Sequence, residues 1–232
     1  ALLLLSEYRE WDAEILNRSI AEGLVKLVYI LSMPIDKQAE LAEEYWITIP
    51  ENNLIRRSER ATEVLKAADG IGKKEWRPLE DLVLTDYELA DILRKYNRVE
   101  RKKLEQKWSF SEILKFFAAS NDLKLRPLAL LAYNYGINSH LVHKDGNGVG
   151  IIWERCMRDE EKRTAVIRGH LARGVSDICS YSLLRAHTIF RSCDRDDIEI
   201  STLEKKYASL FKSLELEGKN FISTEYNEMH DT

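Results

Sequence analysis

The stretch "NRSIAEGL" (residues 17–24) decides the fold, because it sets a charged pair into a helix that is apolar on both broad sides. Arg18 and Glu22 are one helical turn apart, at about 100° per residue. The side that contains them also carries four large apolar residues, Trp11, Ile15, Val25 and Tyr29. The opposite side carries Leu16, Ile20, Leu24, Leu27 and Leu31. Such a helix needs helical neighbours on both sides, so the sequence predicts an all-α bundle.

The composition supports this fold class. Of 232 residues, 44% are hydrophobic and 32% are charged, and only ten Gly and four Pro are present. So few turn-forming residues argue against an all-β chain. The formal net charge of −4 excludes a uniformly basic coat for nucleic acid, although it permits a local basic stripe.

The chain carries three cysteines, Cys156, Cys179 and Cys193, which lack metal-ligand spacing and cannot all pair. This usage fits a reducing, cytoplasmic setting. The apolar start "ALLLLSEYRE" is too short for a signal sequence, and the uncharged stretch 127–143 contains Asn, Ser and His. We therefore expect a cytoplasmic protein without a membrane partner, a metal site or a cofactor.

The pattern predicts about seven helices, several of them long and antiparallel, in one domain over residues 1–200. A C-terminal helix (201–216) and a frayed tail (217–232) follow. The first helix is predicted at Leu3–Ser32, and "KDGNGVG" (residues 144–150) is the clearest loop. The other main predicted helices are Asp36–Trp46 (ended by Pro50), Asn53–Ala68, one from Leu79 or Asp86 to Gln106, one opened by a Ser109–Glu112 capping box, one containing residues 133–143, Ile151–Cys193, and one opened by a Ser201–Glu204 capping box.

A second polar pattern occurs in "YNYGINSHLVH" (residues 133–143), where Tyr135, Ser139 and His143 follow at steps of four. They share one side of a helix with small residues, which let a partner backbone come close. Hydroxyl and imidazole groups that face inward need hydrogen-bond partners. Arg18 and Glu22 can supply them, so we predict that these five residues meet across a helix interface.

Together, "RSIAE" (residues 18–22) and "YGINSHLVH" (residues 135–143) resemble an uncharacterised family of bacterial domains of unknown function. That family has an Arg-Ser-x-x-Glu helix and a later Tyr-x-x-x-Ser-x-x-x-His block. The segment "EQKWSFSEI" also resembles the segment before the second block, so the resemblance covers about residues 5–190. The family is similar to the HEPN group of helical bundles, many of which are metal-independent ribonucleases of toxin–antitoxin, abortive-infection and CRISPR systems.

The resemblance implies a HEPN-like bundle that acts on RNA or a nucleotide in a bacterial defence or stress system, commonly as a homodimer. In a nuclease, His143 would be the base, Arg18 the phosphate ligand, and Tyr135 and Glu22 the orienting groups beside Ser139. The usual HEPN signature, Arg followed by His after four to six residues, is missing from the 133–143 helix. Ser139 also lacks the G-x-S-x-G context of a nucleophile.

The alternative is a non-enzymatic helical interaction module, in which the same residues form a buried structural network. A cleft that reaches His143 favours a reaction site, whereas full burial favours a network.

A basic stripe is predicted on the charged helix after residue 86. Its members, Arg94, Arg98, Arg101 and Lys102, span about 100° of one helix. They could contact phosphates of a nucleic acid. Glu100 and Glu105 dilute the stripe, so an ordinary solvated face is the other interpretation.

Overall fold

The computed structural model describes residues 1–143 and 145–226, without the side chains of Asn134, Ile137 and Asn138. Within these residues the chain has thirteen α-helices and no β-strand, which confirms the all-α class. The helices are α1 Leu2–Ser6, α2 Glu10–Leu31, α3 Ile35–Glu43, α4 Ile49–Ala67, α5 Arg77–Glu80, α6 Asp86–Lys95, α7 Arg98–Lys107, α8 Phe110–Ala119, α9 Leu131–His143, α10 Gly146–Cys156, α11 Glu160–Ser192, α12 Ile198–Lys206 and α13 Ala208–Glu225. Shorter turns are a π-helical turn at Glu44–Thr48 and 3₁₀ turns at Lys74–Trp76 and Arg126–Leu130.

The chain forms two compact units, one from Ala1–Leu31 together with the chain from Ile113 onward, and one from Ser32–Glu112. No helix in the described residues is both long enough and apolar enough to cross a membrane.

Helix α11, with 33 residues, is the centre of the first unit. It packs against α2 and α13, while α2 also packs against α9, and α9 against α10. Leu24 and Val25 of α2 are completely buried, as expected for a helix with apolar residues on both sides. Phe117 of α8 is also completely buried, and the Tyr29 and Phe116 rings meet edge-on at 5.2 Å between centroids. This arrangement positions the polar residues of α2 against α9 and α11.

Two glycines allow helices of this unit to approach each other closely. A Cβ added at Gly169 of α11 would lie 2.8 Å from the Cβ of Phe221 on α13. A Cβ at Gly148 of α10 would overlap the carbonyl oxygen of His140 on α9. Both distances are shorter than the contacts that real Cβ atoms make. These helix pairs can therefore approach this closely only because glycine has no side chain.

The second unit is built around α4, which packs against the π-helical turn before it and against α5, α6 and α7. Pro50 does not end a helix as predicted. It lies in the first turn of α4, where its missing N–H is tolerated. Salt bridges connect α4 to its neighbours at Lys95–Glu51 (2.7 Å) and Arg56–Glu105 (2.6 Å).

The predicted number of about seven helices is wrong, because N-cap residues divide the longer ones. The Asp86–Gln106 prediction is two helices, since Asn97 caps α7 in a capping box with Glu100. The Ile151–Cys193 prediction is also two, since Asp159 accepts a hydrogen bond from the Lys162 N–H and starts α11. The first helix is interrupted at Tyr8, which has a φ of 56°.

The expected loop at residues 144–150 is helical in its described part. Asp145 accepts hydrogen bonds from the backbone N–H groups of Asn147 and Gly148, which starts α10 at Gly146. Position 144 lies outside the described residues. The Ser201–Glu204 capping box is not formed, because α12 begins earlier, at Ile198. Helix α13 continues past the predicted end at residue 216 to Glu225, and residues 227–232 of the predicted tail lie outside the described residues.

Candidate functional site

Polar side chains follow one side of α2 and meet polar side chains of α9 and α11. We call this set the polar seam; it consists of Glu14, Asn17, Arg18, Glu22, Tyr135, Arg173, Asp177 and Tyr181. The α2 members are separated by three, one and four residues, and the α11 members by four and four, so each set lies on one helix side. Glu14 and Asn17 are only 6% and 4% exposed. Polar groups this deeply buried need specific partners.

Arg18 lies at the contact of α2 with α9. Its Nη2 donates a hydrogen bond to the Tyr135 hydroxyl at 2.8 Å, and its guanidinium carbon lies 4.3 Å from the centroid of the same ring. Its Nε forms a salt bridge with Glu22 at 3.3 Å. The predicted meeting of Arg18 and Glu22 with Tyr135 is therefore present. The catalytic roles assigned to these residues stay predictions.

Tyr135 is held in its neutral form. Burial raises the pKa of its hydroxyl, and a hydrogen bond to the Glu22 carboxylate raises it further, while Arg18 opposes both. A neutral phenol can donate to Glu22 and accept from Arg18 at the same time. Tyr135 thus closes a three-membered network between α2 and α9.

Ser139 and His143 do not join this network. Ser139 is half-buried and His143 is exposed in the last turn of α9, and neither side chain forms a hydrogen bond or an ion pair with another described residue. The neighbouring His140 is bound instead to Asp145, with 2.7 Å between Nδ1 and Oδ2. The structure brings together three of the five predicted site residues.

The other half of the polar seam, between α2 and α11, is not among the site residues predicted from the sequence. Arg173 Nη2 donates to Glu14 at 2.6 Å, and the Asn17 amide lies 3.5 Å from Asp177. The available signal was the spacing of four between Arg173, Asp177 and Tyr181 on an otherwise mixed helix. This signal is weak, because charged residues that occur along a helix are more often typical of a solvated surface.

Asp177 is the most perturbed carboxyl of the polar seam. Burial raises its pKa from 3.8 to about 6, and Glu14 adds to this effect, while Arg173 and Asn17 oppose it. Burial likewise raises the pKa of the Tyr181 hydroxyl, with Asp177 and Glu14 contributing. The environment of Asp177 therefore favours the neutral acid.

A small cavity lies where the two halves of the polar seam meet. It has a volume of about 10 Å³ and is lined by Asn17, Arg18, Ala21, Leu131, Tyr135, Asp177 and Tyr181. Asn17 Oδ1 and Arg18 Nη1 are buried there without a hydrogen-bond partner among the described residues. This volume suits about one water molecule, which can accept from Arg18 and donate to Asn17. The cavity is too small for a nucleotide.

The predicted basic stripe does not lie on one helix. Arg94 belongs to α6, whereas Arg98, Arg101 and Lys102 belong to α7, because α6 ends at Lys95. Arg94 pairs with Asp91 at 2.6 Å on its own helix. Arg98 and Lys102 are exposed and Arg101 is half-buried. Nucleic-acid contact by these residues stays a prediction.

An apolar groove, which was not predicted from the sequence, lies on the side of α11 opposite the polar seam. It has a volume of about 300 Å³ and is lined by Leu2, Ile178, Cys179, Ser182, Leu183, Leu203, Tyr207, Leu210 and Phe211. These residues come from α1, α11, α12 and α13 and the turn at Tyr207. All but Ser182 are large and apolar or contain sulfur, and Leu2, Leu203, Tyr207 and Leu210 remain exposed. Contiguous apolar surface of this kind marks interaction sites.

Comparisons of the chain with protein-family models, with curated proteins and with solved structures gave no match. The geometry of the polar seam and of the apolar groove is therefore the basis for a functional proposal.

Proposed function

We propose that this chain is a non-enzymatic helical interaction module that pairs with a second copy of itself. The apolar groove carries this proposal, because it exposes large apolar residues along one face of α11, α12 and α13. An apolar groove between helices is suited to the apolar side of another helix. In this proposal the polar seam holds α2, α9 and α11 together and takes no substrate.

The geometry of the polar seam supports the structural role. Arg18 is bonded to Tyr135 and Glu22, and Arg173 is bonded to Glu14. The cavity beside Arg18 has room for about one water. The network is formed by Arg18, Glu22 and Tyr135, and the exposed side chain of His143, the proposed base, takes no part in it.

Helix α10 of a second copy is the proposed occupant of the apolar groove. Val149 and Trp153 of α10, and Met157 just after it, follow at steps of four. We call them the α10 stripe; Trp153 is 64% exposed and Met157 66%. One chain thus carries both an unfilled apolar groove and an unpartnered apolar helix side. If the α10 stripe of each copy packs into the apolar groove of the other, the two contacts are equivalent and form a closed two-fold dimer.

A charged residue in either the apolar groove or the α10 stripe is expected to weaken the dimer. Leu210→Glu in the groove and Trp153→Glu in the stripe should each weaken association by more than about tenfold, because a carboxylate is buried against apolar groups. Sedimentation velocity over a range of concentrations measures this. Leu216→Glu is the matched control, since Leu216 is an exposed leucine of α13 outside the groove lining.

Mixing the two variants sharpens the test. A dimer of one Leu210→Glu copy and one Trp153→Glu copy keeps one intact groove and one intact stripe, and these face each other. The mixture should therefore associate more strongly than either variant alone. A monomeric wild-type chain at all concentrations, or a mixture no stronger than its components, would contradict the proposal.

A metal-independent activity on RNA or a nucleotide is the second candidate, and it includes the HEPN-like identity and a role in bacterial defence or stress. One observation favours it: the Arg18 guanidinium and the Asp177 carboxyl, whose pKa is about 6, line one cavity. A cation beside an acid that titrates near neutrality is typical of reaction sites. His143 would act as the base, Arg18 as the phosphate ligand, and Tyr135 and Glu22 as the orienting groups.

This candidate predicts that purified protein cleaves mixed RNA in the presence of a chelator. His143→Ala should abolish cleavage, because the base is lost, while the far-ultraviolet circular dichroism spectrum stays normal. His140→Ala is the matched control, since His140 is engaged by Asp145. RNA that remains intact with and without divalent ions would eliminate the nuclease and leave the interaction module.

A further inference from the structure

His187 of α11 lies between two carboxylates beside the apolar groove. Its Nδ1 is 2.7 Å from Oδ2 of Asp197, the residue before α12, and its Nε2 is 3.0 Å from Oε1 of Glu204, in the last turn of α12. We call His187, Asp197 and Glu204 the histidine clamp. None of the three belongs to the polar seam or to the lining of the apolar groove.

The two distances indicate a protonated imidazole. A carboxylate only accepts hydrogen bonds, and a neutral imidazole has one N–H to donate, whereas an imidazolium has two. Both contacts of His187 are hydrogen bonds at the same time only when both ring nitrogens carry a proton. The pKa of His187 agrees with this geometry. Burial lowers it, but the hydrogen bonds to Asp197 and Glu204 outweigh burial and hold this pKa above its ordinary value of 6.5.

The charged groups around His187 come from α11, α12 and the turn between them. Asp197 and Glu204 contact the ring directly, and Arg191 of α11 reaches Asp197 at 3.4 Å. Helix α13 contributes the apolar ring of Phe211 to the cavity beside His187. His187 and Arg191 hold the pKa of Asp197 below its ordinary value, so Asp197 stays an anion while His187 titrates.

The histidine clamp is connected to the apolar groove by α12 and by a neighbouring cavity. This cavity has a volume of about 360 Å³ and is lined by Ser180, Leu183, Leu184, His187, Glu204 and Phe211. Leu183 and Phe211 also line the apolar groove, as does Leu203, the residue before Glu204. Among the described residues, Glu204 forms the one side-chain hydrogen bond from α12 to another helix. That bond therefore helps to fix the wall of the groove that α12 provides.

Loss of one proton from His187 breaks the Glu204 contact first. The Asp197 contact is the shorter of the two, and the Asp197 side chain is 27% exposed against 44% for Glu204. The single remaining N–H therefore stays on Nδ1 and donates to Asp197. The Nε2 lone pair then faces the Glu204 carboxylate, so two acceptors oppose each other and the hydrogen bond is lost.

We propose that the histidine clamp is a proton switch that regulates self-association through the apolar groove, an inference that rests on the proposed dimer. With His187 protonated, Glu204 is held and Leu203 completes the groove for the α10 stripe. With His187 neutral, the last turn of α12 loosens and this wall of the groove is lost. Two copies therefore associate more strongly at about pH 6 than at about pH 9.

Hydrogen exchange tests the histidine clamp separately from the dimer, at a concentration where the chain is monomeric. Protection factors, which divide out the pH dependence of the exchange chemistry, should fall at least about threefold for the amides of residues 202–207 between about pH 6 and about pH 9. His187→Gln should abolish this fall, because glutamine does not titrate. Glu204→Gln should abolish it too, since an amide can pair with either form of the imidazole. Glu199→Gln is the matched control, because Glu199 is an exposed glutamate of the same helix.

Sedimentation velocity over the same pH range tests the link to association. The wild-type dissociation constant should rise at least about threefold towards about pH 9, and that of His187→Gln should stay constant. Wild-type protection factors that do not change with pH, or that change equally in His187→Gln, would overturn the histidine clamp. Protection that follows pH in a dimer whose strength does not would overturn its link to the groove. A chain that is monomeric at every pH would contradict the proposed dimer, and with it this regulation, whatever the protection factors show.

Discussion

Arg18→Ala is expected to lower the free energy of unfolding by about 3 kcal/mol, because it breaks a largely buried ion pair. The Arg18 side chain is only 16% exposed, and its removal leaves the Glu22 carboxylate beside Tyr135 without a cation. The Tyr135 hydroxyl also loses its donor. Urea unfolding near pH 7, followed by circular dichroism, measures the change.

Two controls separate this effect from general damage to α2 and α9. Ser19→Ala, next to Arg18 but exposed, should change stability by no more than about 0.5 kcal/mol. His143→Ala should have a similarly small effect, since the His143 side chain is exposed and makes no hydrogen bond or ion pair with another described residue. A stable Arg18→Ala protein would show that the polar seam does not hold the helices. A large loss for His143→Ala would contradict its exposed position.

Asp177→Asn is expected to stabilise the protein above about pH 6 and to leave it nearly unchanged near pH 4. The folded-state pKa of Asp177 is about 6, against an ordinary value of 3.8. Below the lower value both states carry the proton, so no stability difference arises. As the pH rises from about 4 to about 6, only the unfolded state releases the Asp177 proton. The free energy of unfolding therefore falls by on the order of 2 kcal/mol. Asparagine stays neutral and removes this loss.

The sign of this stability change is checked by measuring the free energies of unfolding of the wild type and the Asp177→Asn variant across that pH range. The wild-type curve should fall between about pH 4 and 6 relative to the Asp177→Asn curve, and the two should run parallel above it. Asp12→Asn, at an exposed position of α2, is the control and should follow the wild type. A variant less stable than wild type at pH 8 would mean that the ionised Asp177 carboxylate stabilises the polar seam.

The contact between α2 and α9 could be predicted from the sequence, because residue spacing fixes which side chains share a helix side. The same geometry explains the error at His143. Steps of four turn by about 40° each, so His143 lies about 80° from Tyr135 around α9. Tyr135 meets Arg18, Ser139 is half-buried, and His143 is turned to solvent. Helix geometry gives this angle, but only the packing of α9 shows where burial ends.

The missed helix boundaries have a local cause. Asn97 and Asp159 are residues with strong N-cap preferences, and Asn97 even has Glu100 in the capping-box position. The glycines of residues 144–150 led to the prediction of a loop, although the Asp145 carboxylate caps α10. The apolar groove and the partners of Glu14 and Asp177 could not be predicted, because they depend on which helices become neighbours in space.

The polar seam also has a consequence for the order in which the chain folds. Its hydrogen bonds from α2 to α11 join residues about 160 positions apart, as Asn17 and Asp177 show. At the ribosome's pace of roughly 5–20 residues per second, α2 waits about 10–30 s for its partner to be synthesised. Residues 32–112 form a contiguous unit and can close in the meantime. For that interval the nascent chain displays a helix with apolar residues on both sides, which is the kind of segment that chaperones shield.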